Sequence, residues 1–155
     1  MRRLIIYVIA IAAALLIPEW GTDVGKLQPV ELVFLYIDEG AIVLETDTGN
    51  MGRGETLDAA YEDLELTTPG TLFLDTAEYL LVARSARTLA QQMKDYLKPA
   101  TYVCQAEMGT DLAMAAEYLD VHPPEKTLRE LSESDKLSVL RQEKYGEKNI
   151  LKISN

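Results

Sequence analysis

The stretch that most constrains this chain is Gly49–Asp75, GNMGRGETLDAAYEDLELTTPGTLFLD. A glycine-rich loop, Gly49 to Gly54, predicts a chain reversal there. Beyond it Leu57, Ala60, Tyr61 and Leu64 fall at i, i+3, i+4 and i+7, one face of a helix. Glu55 and Asp58 sit where a first helical turn favours negative charge. Thr67-Thr68-Pro69-Gly70 ends the helix, and the apolar run Thr71–Asp75 predicts a strand. A helix and a strand this closely joined need a sheet to pack on, so the flanking sequence should supply one.

It does. Val30–Asp38, VELVFLYID, is apolar on both alternating faces, which predicts a central strand covered on two sides. Asp38-Glu39-Gly40 reads as a turn, and Ala41–Thr48 returns as a second strand. After the helix, Glu78–Val82 predicts a further strand. Ser85 is placed to cap a second helix with Leu89, Ala90, Met93, Tyr96 and Leu97 inward, and Thr101–Ala106 follows as a strand. Thr110 is placed to cap a third helix with Leu112, Ala115, Ala116 and Leu119 on one face, which His122-Pro123-Pro124 breaks. Thr127-Leu-Arg-Glu130 has capping-box form, so a charged helix is expected from there, with a second piece from Ser134 to about Lys144. Ile150–Ile153 reads as an edge strand or a trailing end. The expected fold class is α+β: a central mixed sheet packed with three or four helices. The expected organisation is an N-terminal apolar segment (1–18), a linker (19–29), one α/β domain (30–124) and a charged helical extension (125–155).

Met1-Arg2-Arg3 precedes fourteen unbroken apolar residues, Leu4–Ile17, and Pro18-Glu19-Trp20 ends the run. Apolar on all sides, terminal and led by arginines, the run reads as a membrane-targeting segment. Its alanines lie inside the run, where a signal peptidase site would not, so an uncleaved anchor is favoured over a cleaved signal. As a helix it would span about 21 Å, short of a ~30 Å hydrocarbon core, and calls for local thinning or for Tyr7 and Trp20 at the interfaces. The basic start places residues 19–155 outside the cytoplasmic membrane. Residues 19–124 hold 19 acids and 6 bases, and residues 125–148 hold 6 of each, so the net charge of −10 sits on the globular part. Such a surface repels nucleic acid, which is not expected as a partner.

No constellation of catalytic residues stands out. The spacing Gly49, Gly52, Gly54 is neither a dinucleotide nor a P-loop fingerprint, and ten acids against Arg53 alone between Glu31 and Glu65 disfavour phosphate. Glu45 and Asp47 share a strand face and could form an acid/base pair, though alternating acids more often mark a solvated face. Asp38 and Asp75 each end an apolar strand, where α/β enzymes place catalytic groups and where turns also place aspartate. Asp38, Glu45, Asp47, Arg53 and Asp75 are thus the candidate binding surface. His122 reads as a helix terminator. Cys104, the single cysteine, reads as a small buried side chain, and no Cys/His set for zinc exists. No cofactor is expected.

Several short features come in a suggestive order: Trp20 and Asp23 after the apolar run, Glu31-Leu32, Ile37-Asp38, Gly40, Gly54-x-Thr56-Leu57-x-x-Ala60, and Tyr79-Leu80-Leu81-Val82. This order resembles the N-terminal domain of the C subunit of spore germinant receptors, the Ger(x)C lipoproteins, over about residues 18–120. The resemblance implies a mixed α/β domain on the outer face of the inner spore membrane and a non-enzymatic part in receptor assembly or signalling. Two departures stand. Glu19 occupies the place of the family's lipobox cysteine, so anchoring would fall to the apolar run. The family's further C-terminal domains have no counterpart. The expectation is a membrane-anchored, extracytoplasmic binding or assembly module with protein partners in a membrane receptor or envelope complex. Against it stand a secreted or anchored hydrolase using surface carboxylates and an envelope protein unrelated to spores.

Overall fold

The computed structural model describes residues 27–132, 134–145 and 148–154. Seven strands form one mixed sheet in the order β4-β3-β2-β6-β7-β8-β9. They are β2 (Leu32–Asp38), β3 (Ala41–Thr46), β4 (Met51–Gly54), β6 (Tyr79–Ala83), β7 (Tyr102–Ala106), β8 (Val139–Tyr145) and β9 (Lys148–Ser154). β2, β6, β7 and β8 run parallel, while β3, β4 and β9 are antiparallel to their neighbours. A separate parallel pair joins β1 (Leu27–Pro29) to β5 (Thr71–Phe73). The α+β class with a helix-covered mixed sheet is as the sequence predicts.

The alternation along β2 explains its central place. Val33 and Leu35 point into one core, with α1 (Leu57–Thr67) and the segment Arg84–Asp95. Leu32, Phe34 and Tyr36 point into the other, with α2 (Leu112–Val121). Both cores are continuous apolar layers, and each strand residue removed from water contributes in proportion to the area it hides.

Several local expectations need correction. The glycine stretch is only partly a loop. The reversal is tighter and earlier, built by Thr46, whose N–H donates to Asn50 O (2.9 Å) and whose Oγ1 accepts from Asn50 N (3.2 Å). Met51–Gly54 is already strand, paired with β3. Gly49 has φ +83° and needs glycine for that reason. Gly52 and Gly54 do not: a Cβ on either would strike the backbone of α1, at Ala60 and Leu64 or at Ala59 and Ala60. Their hydrogens let helix and strand touch.

In α1, Leu57, Ala60 and Leu64 are buried and Tyr61 is half-buried. The N-cap is Thr56, whose side chain accepts from Ala59 N. Arg84–Asp95 is a 3-10 helix of twelve residues, not an α-helix. Ser85 does not cap it; its Oγ accepts from Ile37 N (3.3 Å) instead. α2 buries the four predicted residues, but Asp111, not Thr110, caps it through Met114 N.

The largest difference lies after residue 125. The expected charged helical extension is absent among the described residues, and β8 and β9 form a hairpin that extends the main sheet. Glu130 accepts from Thr127 N and Oγ1, as half a capping box would, but Glu130 N closes onto Thr127 O in a turn. The linker assignment also shortens, because Leu27–Pro29 is strand. The run Leu4–Ile17 lies outside the described residues, and among those no helix is long and apolar enough to cross a membrane.

Candidate functional site

Four of the five predicted surface residues, Asp38, Glu45, Asp47 and Arg53, are held by partners of their own. At the carboxyl end of β2, Asp38 Oδ2 pairs with Arg53 Nη1 at 3.1 Å, and Arg53 Nη2 donates to Asp38 O (3.0 Å) and Glu39 Oε2 (3.4 Å). Arg53 thereby staples β4 to the β2–β3 turn. Both side chains are nearly half exposed, so the pair is worth about 1 kcal/mol or less. Glu45, on β3, accepts from Tyr36 Oη at 3.2 Å. Burial first, and then the Glu45 charge, push the Tyr36 phenol up to about 12.

Asp47 is not the second half of an acid/base pair with Glu45. It lies past the end of β3, and its Oδ1 accepts from Glu31 N (3.3 Å) and Leu32 N (3.2 Å). These are donors at the start of β2 that no strand partner takes, so the carboxylate finishes the ladder. Asp75 is not at the carboxyl end of a main-sheet strand. It sits in a 3-10 turn, Leu74–Thr76, after β5 and before β6. The seven residues of β2 put roughly 20 Å between the two ends of the sheet. Asp38 and Asp75 belong to opposite ends.

What Asp75 does join is a cleft of about 570 Å³ with Glu31, Glu78, Glu117, Asp120 and Lys98. Glu31 and Glu78 immediately precede β2 and β6, and Glu117 and Asp120 stand on α2. Five carboxylates from four places in the chain face one lysine here. Only Asp75 among them is a predicted site residue. The cleft opens at the amino ends of the parallel strands, whereas ligand crevices of open α/β sheets form outside the carboxyl ends. Among the described residues no group of His, Cys, Asp and Glu has the arrangement of a metal site.

A second, smaller cavity of about 260 Å³ lies between the 3-10 helix and the facing residues Leu131, Ser132 and Leu137. Arg87, Thr88 and Ala90 line it from the helix, and Leu131, Ser132 and Leu137 from the other side.

The two remaining singled-out residues behave as expected. Cys104 is buried on the α2 side of β7, and burial pushes its thiol up to about 12. His122 is the exposed C-cap of α2, its ring stacked on Tyr118 at a centroid distance of 4.6 Å.

No protein family, characterised protein or solved structure matches this chain. The site geometry therefore stands alone.

Proposed function

We propose that this chain is a membrane-anchored extracytoplasmic module that works by contact with protein partners, within a receptor or envelope complex linked to sporulation or germination. Support for the anchor is the run Leu4–Ile17 behind two arginines, which ends ten residues ahead of Leu27, where β1 begins. The observation that carries contact over turnover is the dispersal of the candidate carboxylates. Asp38 is tied to Arg53, Glu45 to Tyr36 and Asp47 to backbone N–H groups, while Asp75 lies at the other end of the sheet. A hydrolytic pair needs two carboxyl groups converging on one bond. Asp38, Glu45 and Asp47 each serve the architecture singly, and Asp75 converges on none of them.

The test is fractionation of cells expressing the full chain. The product should sediment with membranes, resist alkaline carbonate, dissolve in detergent and be cut by protease added outside spheroplasts. Its transcript should rise during sporulation. Full-length protein free in the cytosol would refute the anchor, and transcription confined to vegetative growth would refute the link to spores.

A further inference from the structure

We infer that the cavity between the 3-10 helix and the facing residues Leu131, Ser132 and Leu137 binds a small monocarboxylate with a short apolar body, held through Arg87. This inference does not depend on the anchor. It begins with charge. From Arg84 to Lys98 the chain has four bases, Arg84, Arg87, Lys94 and Lys98, against Asp95 alone, in a protein of net charge −10. The 3-10 helix is a basic island on an acidic molecule.

Helix type then decides who faces the cavity. In a 3-10 helix side chains at i and i+3 eclipse, so Thr88, Gln91 and Lys94 stand in one column. That column meets the segment after Leu128. Gln91 Nε2 donates to Leu131 O at 3.1 Å and Lys94 Nζ lies 3.5 Å from the same oxygen. Arg87 stands in the adjacent column above Ala90, which is buried. The opposite wall is equally fixed: Ser132 N donates to Asp135 Oδ2 (2.9 Å), and Asp135 pairs with Lys126 at 2.8 Å. The cavity is preformed between two tethered elements, as small-ligand sites generally are.

Arg87 is half-buried and lines this cavity, yet among the described residues it makes no ion pair or hydrogen bond. A half-buried guanidinium without a partner favours an anion beside it. Its planar fork matches a carboxylate in two parallel bonds. Thr88 lines the helix side and Ser132 the facing side, and Ala90 and Leu137 give the ligand's apolar body a floor. The volume, about 260 Å³, exceeds the roughly 150 Å³ that holds a benzene-sized body, so a short branched chain fits. One cation and an apolar floor suit a singly charged organic anion better than phosphate.

The test is an amide chemical-shift titration of the full chain in detergent micelles with sodium isovalerate, its neutral amide isovaleramide, and inorganic phosphate. Isovalerate should shift Ala90, Gln91 and Ser132 saturably, leaving Gly49 unmoved. Isovaleramide and phosphate should bind at least tenfold more weakly. Arg87→Met should weaken isovalerate at least tenfold, with Arg87→Lys between it and the parent; if Arg87→Met does not fold, Arg87→Lys alone must still weaken it. No saturable shift by about 50 mM isovalerate, equal binding of the amide or phosphate, or affinity unchanged in the folded arginine variants would each overturn the assignment.

Discussion

The backbone of Gly52 in β4 lies so close to the backbone of Ala60 in α1 that no Cβ fits between them. Gly54 repeats the arrangement one residue pair further, against Ala59 and Ala60. Helix and edge strand therefore meet main chain to main chain, and Arg53 N between the two glycines donates to Asp63 Oδ2 at 2.8 Å. Such contact cannot relax by rotating a side chain. Gly52→Ala should destabilise the protein by about 3 kcal/mol, the upper end for overpacking. Gly49→Ala, which meets open space but holds a positive φ, should cost about 1 kcal/mol. Urea unfolding of the two variants beside the parent checks the order, and equal losses would contradict it.

Asp47 joins the end of β3 to the start of β2 through backbone donors at Glu31 and Leu32. Asp47→Ala leaves those donors to water and should cost about 1 kcal/mol. Asp47→Asn keeps an acceptor and should recover part of the loss. The urea midpoint is the measurement. A parent-like midpoint for Asp47→Ala would show that the carboxylate adds nothing.

Asp135 is held down to about 2 by its bond to Lys126 first and by the Ser132 backbone N–H second. Its folded value thus lies below the ordinary 3.8. A depressed carboxyl contributes stability above the unfolded value, and that contribution fades as pH falls from about 4 to about 2. Asp135→Asn should flatten the pH dependence of the unfolding midpoint across that window and leave the profile above pH 5 parallel to the parent. An unchanged slope between pH 4 and 2 would mean the bond to Lys126 has no counterpart in solution.

Cys104 is 1% exposed, and its thiol is pushed up to about 12 by burial. The thiolate is the reactive form, so Ellman's reagent should not label the native protein over hours. Labelling should become complete in urea, with a midpoint that matches loss of structure. Fast labelling of native protein would place the sulfur at the surface.

The parts of this fold that could be read from the chain are those fixed by local periodicity. α1 and α2 announce their inner faces because leucine and alanine recur at helical spacing over about two turns. β2 announces its central place because both of its faces are apolar. The parts that could not be read depend on distant neighbours. Val139–Tyr145, VLRQEKY, is too polar to look like a strand and becomes one by pairing with β7 and β9. The glycines at 52 and 54 suggest a turn locally, while their cause is a helix packed on them from further along the chain. The buried residues of Arg84–Asp95, Ala86, Ala90 and Met93, are spaced four and three apart, as an α-helix would space them, so helix type is invisible there. Glu31, Asp75, Glu78, Glu117 and Asp120 share a cleft only because crossover connections return each time to the same end of the sheet. Arg87 stands out in the sequence only as a base in an acidic chain, and its cavity needs the turn that Asp135 N closes onto Ser132 O.

β7 and β8 are joined in register by two residue pairs, Gln105–Val139 and Ala106–Leu140, whereas β8 and β9 share seven. The C-terminal hairpin is more firmly bound to itself than to the body it extends. Its amides should trade hydrogen for deuterium together, through a partial opening that leaves the other five strands of the sheet assembled. A molecule caught in that opening would bare Leu140 and Leu151 along with the unpaired rim of β7, and this is the form in which two copies could exchange tails.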